Sequence, residues 1–146
     1  MAIDLIRGGR IANRGIRTTK STNSYIKTLI KLYSFLNRRT ESRFNKTIHK
    51  RLNQSRLNRY PISISRIVKT LSQDNAAVPA GQTKFNSRIL AVVGSVTNDT
   101  RLLTVPEGLR VVALRFTNEA RQRITAAKGQ CLTFDQLAQI APTGKN

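Results

Sequence analysis

The sequence predicts an α/β protein, with a compact core of irregular strand-helix units preceded by two basic amphipathic helices and an extended basic N-terminal arm. Three observations carry that expectation. In the second half of the 146 residues, continuous β-branched runs alternate with helix-spaced ones, the order of an α/β layer. Charge collects at the other end: 15 basic and 2 acidic residues precede Tyr60, against 11 and 5 after it. Ile, Leu, Val and Phe make up 40 of the 146 residues, above the roughly 20% below which chains tend to stay disordered. The length suits one domain with a short appendage. The expected division is an arm over residues 1–20 and a single domain over 21–146, its basic helical part at 21–60 and its core at 61–146.

The arm carries Arg7, Arg10, Arg14, Arg17 and Lys20 at steps of three or four, with Gly8, Gly9 and Gly15 between them. The spacing favours a helix, but each interior glycine opposes one by about 1 kcal/mol. The segment therefore reads as a flexible basic arm that becomes ordered on a partner. Arg7-Gly8-Gly9-Arg10 is a single arginine-glycine element of the kind used in RNA-binding tails. A merely solvated charged tail is the plainer alternative.

From Thr22 to Arg39, Tyr25, Ile26, Leu29, Ile30, Leu32, Tyr33 and Leu36 recur at helical spacing, which predicts an amphipathic helix. Ser21 or Thr22 is the expected cap, and Arg38 and Arg39 fall in the last turn, where cations face the helix dipole favourably. Lys27 and Lys31 lie on the same helix. Phe44, Ile48 and Leu52 mark a second helix from about Ser42 to Arg56, with Arg43, Lys46, His49, Lys50 and Arg51 on its other faces. The Thr40–Glu41 joint is too short, and lacks the glycine, for a typical helix-turn-helix. The apolar stripes are expected against a shared core, with the basic faces outward as a phosphate-binding surface. Arg56, Arg59 and Tyr60 continue that surface, and Tyr60 could either stack on a base or pack its ring.

After Pro61 a short helix is expected over Ser63 to Leu71, capped by Ser63. A polar stretch, broken by Pro79 and Gly81, then makes a long loop over residues 72–88. Ile89 to Val96 and Leu109 to Phe116 predict strands buried on both faces. Asn98-Asp99 and Pro106-Glu107-Gly108 supply turns. Thr117 caps a helix that Gly129 ends near Lys128, and Thr133 with Gln136 forms a capping box for a last helix through Ile140.

Composition narrows function. A net charge of +19 and a pI near 11.7 point to a polyanionic partner. Asp4 and Arg7 interrupt the opening apolar patch, so no secretory signal is expected. No apolar run approaches the roughly 18 residues of a membrane span. One cysteine, Cys131, excludes an internal disulfide and reads as a small buried hydrophobe. One His and seven scattered acids offer little material for catalysis or metal binding, and no phosphate loop, G-x-G-x-x-G or G-x-S-x-G pattern is present. No enzyme, cofactor, metal or small-molecule substrate is expected. Asp99 and Asp135 sit where carboxylates cap turns and helices.

Five segments in register resemble one family. KLYSFLNRRTESRFN (Lys31 to Asn45), KRLNQSRLNRYPISISR (Lys50 to Arg66), AVVGSVTNDTR (Ala91 to Arg101), ALRF (Ala113 to Phe116) and LTFDQLAQIAPTG (Leu132 to Gly144) are similar to large-subunit ribosomal protein eighteen of eukaryotes and archaea. The resemblance runs from about Lys20 to Gly144. It implies a compact α/β core related to bacterial large-subunit protein fifteen, with extensions that reach into ribosomal RNA. It also implies neighbouring ribosomal proteins as partners, no membrane, and residence in cytoplasmic ribosomes after nucleolar passage. Many eukaryotic members continue into a long basic tail beyond the position of Asn146, so contacts of that tail are not carried over. The 72–88 loop is less family-like than its flanks. A small DNA-binding architectural or regulatory protein is the alternative that charge alone allows.

Overall fold

The computed structural model describes residues 18–19, 21–74 and 78–145. The chain falls into two compact units, divided in sequence between Asn58 and Arg59. The expected arm, with Arg7, Arg10, Arg14, Arg17 and Lys20, lies outside the described residues.

The first unit is a helical pair, α1 (Ser24–Thr40) and α2 (Arg43–Leu52), followed by a single 3-10 turn at Arg56–Asn58. Asn23, rather than Ser21 or Thr22, caps α1: its side chain accepts from the Tyr25 N–H at 2.9 Å. Glu41 takes a left-handed φ of 48°, and this turns the chain between the helices in two residues. Asn45 is buried and donates through Nδ2 to Thr40 Oγ1 at 2.8 Å. Thr40 in turn donates to the Leu36 carbonyl at 2.6 Å, so one polar chain ties the elbow to the last turn of α1. α2 ends at Leu52, four residues before the expected Arg56. Asn53 is responsible, because its side-chain amide and its backbone N–H both take the His49 carbonyl, and such local competition stops helix propagation. Tyr33, Ile48 and Leu52 are buried. Tyr25, expected on the buried stripe, is 80% exposed, since it sits in the first turn at the outer end of that stripe.

The second unit is built on a four-stranded parallel sheet in the order β1 (Ile62–Ser63), β2 (Ile89–Thr97), β3 (Arg110–Phe116), β4 (Gln130–Leu132). The helices between and after the strands are α3 (Ile64–Ser72), α4 (Lys84–Ser87), α5 (Asn118–Ala126) and α6 (Phe134–Ile140). The expected α/β class is therefore the observed one. β2 and β3 form the middle of the sheet, and their long apolar runs supply the interior. Val92, Val96, Val111 and Ala113 join Ile64, Ile67 and Leu71 of α3 and Ala120 and Ile124 of α5 in one buried cluster. Val112, of opposite parity on β3, is buried outside that cluster, as are Phe134 and Leu137 of α6, which packs on β3. The sheet is thus covered on both faces, as parallel sheets require.

Two strands and a helix were not foreseen. β1 and β4 hold two and three residues, too few for any period to register. α4 is a single turn inside the stretch expected as loop, with Thr83 Oγ1 accepting from the Asn86 N–H at 3.3 Å. Thr117 caps α5 as expected, accepting from Ala120 N–H at 3.4 Å. Gln136 Oε1 accepts from the Thr133 N–H at 3.0 Å, the expected reciprocal bond of the capping box. Gly129 does not end α5 by a left-handed turn; Lys128 does, with φ of 55°. Glycine is needed at 129 for space, because a Cβ there would stand 2.5 Å from the Leu109 carbonyl oxygen and 2.9 Å from that of Ile124.

Candidate nucleic-acid interface

The helical unit builds its basic surface by periodicity. On α1, Lys27, Lys31 and Arg38 fall four and seven residues apart, which at 3.6 residues per turn aligns them on one face. All three are exposed, and the buried Tyr33 lies on the opposing side. On α2, Arg43, Lys46 and Lys50 share the face opposite Asn45, Ile48 and Leu52, and all three are exposed, as are Arg51 and Arg56. From Ser24 to Asn58 nine Lys and Arg residues stand against one acid, Glu41. So little counter-charge leaves the field of these faces to an external anion.

Arg39 is placed differently. Its guanidinium lies over the Phe35 ring, 5.6 Å from the centroid, a cation–π contact that stiffens a long side chain without neutralising it. The i, i+4 spacing of an aromatic and an arginine was the available signal for this pair. His49 is half-buried, with Nδ1 inside the protein and no hydrogen-bond partner among the described residues.

The second unit contributes Arg59, half-buried, and Tyr60, 74% exposed. It also exposes Arg66 and Lys69 on α3 and Arg121 on α5, which the sequence reading left out. Their positions relative to the buried Ile64, Ile67, Leu71 and Ile124 would have revealed them. Arg121 lies over the Phe116 ring at 5.5 Å.

The acids of this unit serve structure. Asp99 is buried and accepts from Ser65 Oγ, from the Arg101 backbone N–H at 3.1 Å and from Arg101 Nε at 3.1 Å. The Arg101 guanidinium first, then the Ser65 hydroxyl and the Arg101 backbone, hold this carboxyl well below the usual carboxylate range. Arg88 pairs with Asp74 and spans the polar stretch before β2. Cys131 on β4 is half-buried against the main cluster, and burial pushes its thiol up. Among the described residues no group of three or more His, Cys, Asp or Glu could hold a metal ion, and no helix is long and apolar enough to cross a membrane. What the arrangement offers is a set of outward cations on rigid helices.

Comparison with known proteins agrees with the segment resemblance and extends it. A family profile described as "Ribosomal protein 60S L18 and 50S L18e" matches residues 2–146. The large ribosomal subunit protein eL18 of Tetrahymena thermophila is 56% identical over 147 residues, spanning 100% of this chain and 75% of its own length. The protein of that name from Trypanosoma brucei brucei is 52% identical over 147 residues, spanning 100% of this chain and 74% of its own. Large ribosomal subunit protein eL18B of Schizosaccharomyces pombe is 56% identical over 126 residues, 86% of this chain and 63% of its own. With an α/β core, a strongly basic helical pair and a family match over almost every residue, this chain belongs to the family of ribosomal protein 60S L18 and 50S L18e.

Proposed function

We propose that this chain is a structural constituent of the large ribosomal subunit that binds and stabilises folded ribosomal RNA through its basic residues and catalyses no reaction. The observation that carries this reading is the pair of helix faces bearing Lys27, Lys31, Arg38, Arg43, Lys46 and Lys50 with almost no acid beside them. The names of its relatives support the ribosomal setting. Its partners are then large-subunit RNA and neighbouring ribosomal proteins, and its place is the cytoplasmic ribosome after passage through the nucleolus.

The work of such a protein is electrostatic. Cations on α1 and α2, with those of the arm at residues 1–20, neutralise phosphates that RNA packing brings together, and released counterions supply the driving force. With about ten phosphate contacts, log affinity falls with log salt at a slope of about 7 to 9. RNA shape, read along the backbone, supplies specificity more than base edges do. Deleting residues 1–20 weakens RNA association and leaves the core folded.

The test is sedimentation of the tagged full chain from a cell lysate through a sucrose gradient at high salt. Co-migration with the large subunit is the expected result. Release to the top of the gradient, or retention with chromatin, overturns the proposal, and the latter favours the DNA-binding alternative.

A further inference from the structure

We propose that Arg59 and Tyr60 form a platform for one unpaired RNA nucleotide, the base stacking on the Tyr60 ring and the phosphate meeting the Arg59 guanidinium. This rests on the RNA-binding reading above and specifies the kind of RNA element that one part of the surface takes.

Three features of the second unit converge on this pair. The Tyr60 ring is 74% exposed, an aromatic face offered to solvent one residue along the chain from a cation, a pairing of residue types used to hold single-stranded nucleotides. Its backbone is held from two sides. Pro61 confines the residue before it to extended conformations, and the Tyr60 carbonyl oxygen lies so close to β2 that a Cβ on Gly94 would stand 2.9 Å from it. β2 is bulged at that point: Val92 pairs with Ala113, but three residues on Ser95 pairs with Arg115, only two residues further along β3. A bulge and a glycine in mid-strand mark where another backbone approaches closely. The sheet therefore seats the Arg59–Tyr60 backbone and leaves the Tyr60 ring outward, which lowers the entropic cost of using the ring as a stacking surface.

Arg59 adds the charge. It is half-buried, and its Nε is enclosed with no hydrogen-bond partner among the described residues. A guanidinium whose inner nitrogen finds no acceptor in the protein keeps its charge uncompensated, and an anion at its outer N–H groups offsets that cost. Phosphate fits that need through paired N–H donors.

The experiment uses the full chain and two RNA hairpins: one with a single unpaired 2-aminopurine in its stem, and one with the same stem fully paired. Binding of the unmodified chain quenches 2-aminopurine fluorescence. Tyr60→Ala, a change to an exposed side chain, abolishes the quench and reduces preference for the bulged hairpin roughly ten-fold. Tyr60→Phe keeps both, and Arg59→Ala lowers the salt slope on the bulged hairpin by about 0.7. A quench that survives Tyr60→Ala overturns the platform, as it would if the ring instead met a protein neighbour, and so does loss of the quench in Tyr60→Phe. Failure of the unmodified chain to bind either hairpin overturns the RNA-binding reading with it; binding both, with no response to Tyr60, overturns the platform alone.

Discussion

The Arg123 guanidinium on α5 donates to the backbone carbonyl of Asp99 at 2.8 Å. The same nitrogen donates to Asn98 Oδ1 at 2.8 Å, and the other terminal nitrogen donates to the carbonyls of Leu102 and of Leu103, the latter at 3.1 Å. These carbonyls belong to the irregular crossover between β2 and β3, which has no ladder of its own to satisfy them. One side chain thus stands in for the helix that usually fills a parallel crossover.

Arg123→Ala should therefore lower stability by about 2 to 3 kcal/mol, because charged donors to otherwise unpaired carbonyls are the stronger kind of hydrogen bond. Arg123→Lys recovers only part of the loss, since an ammonium cannot reproduce the planar fork. Urea unfolding followed by circular dichroism measures both. Equal stability of the alanine variant and the unmodified chain would show that the crossover is held by other means.

Asp99 sets the acid limit of the same crossover. Its carboxyl lies well below the ordinary range because of Arg101 and Ser65, so the ionised form is favoured in the folded state. A depressed native pKa contributes stability that is whole above the unfolded value of about 3.9, diminishes as pH falls below it, and is gone once pH passes the native value. Asp99→Asn is expected to be less stable than the unmodified chain at pH 7, with the difference shrinking below about pH 4. Unfolding curves between pH 7 and pH 2 give the answer, and a difference independent of pH would assign the loss to shape instead of charge.

Gly129→Ala tests the junction of α5 with β4. The added methyl would meet the Leu109 and Ile124 carbonyl oxygens and Ile124 Cγ2 at 2.5 to 2.9 Å. Two of these are backbone atoms and cannot yield, so overpacking of about 1 to 3 kcal/mol or more is expected. Thermal unfolding would register it as a clear drop in Tm.

The α1 stripe makes a quantitative prediction about binding. Replacing Lys27, Lys31 and Arg38 together by Ala should lower affinity for unrelated structured RNAs alike and reduce the salt slope by about 2 to 3. Helicity is unchanged, because all three side chains are exposed and alanine favours helix. Filter binding across a salt series measures the slope. Loss confined to one RNA sequence would mean that bases are being read.

Most of the regular structure was legible because its signals are local. The apolar spacing from Ile26 to Leu36, the runs Ile89 to Val96 and Leu109 to Phe116, and the caps at Thr117 and Thr133 each lie within one turn or one strand. What escaped depends on contacts distant in sequence or on very short segments. Ile62–Ser63 and Gln130–Leu132 become strands only because β2 and β3 present free edges to them. Arg123 reads as one more surface cation until the fold brings residues 98–103 to it. Gly129 looked like a helix stop, yet its role is set by the distant Leu109 carbonyl. On the candidate interface the cations of α1 and α2 could be read from composition. The support that Gly94 gives to the Tyr60 backbone could not, because no periodicity relates residues 60 and 94.

The strand order 1-2-3-4, parallel throughout, has a consequence for how the chain acquires its fold. Each pairing joins strands separated by a full crossover, so no hairpin is available as a fast local nucleus. The helical pair, whose contacts span few residues, can form as soon as it leaves the ribosome that makes it. The sheet must wait for Gln130–Leu132, the last of its strands to be made, and loop closure of this kind is slow. Until then β3 presents an apolar, unpaired edge, a known route to aggregation. Pulse-labelled hydrogen exchange should therefore find protection in α1 and α2 well before β3, and nascent chains cut short of residue 130 should be the ones that precipitate.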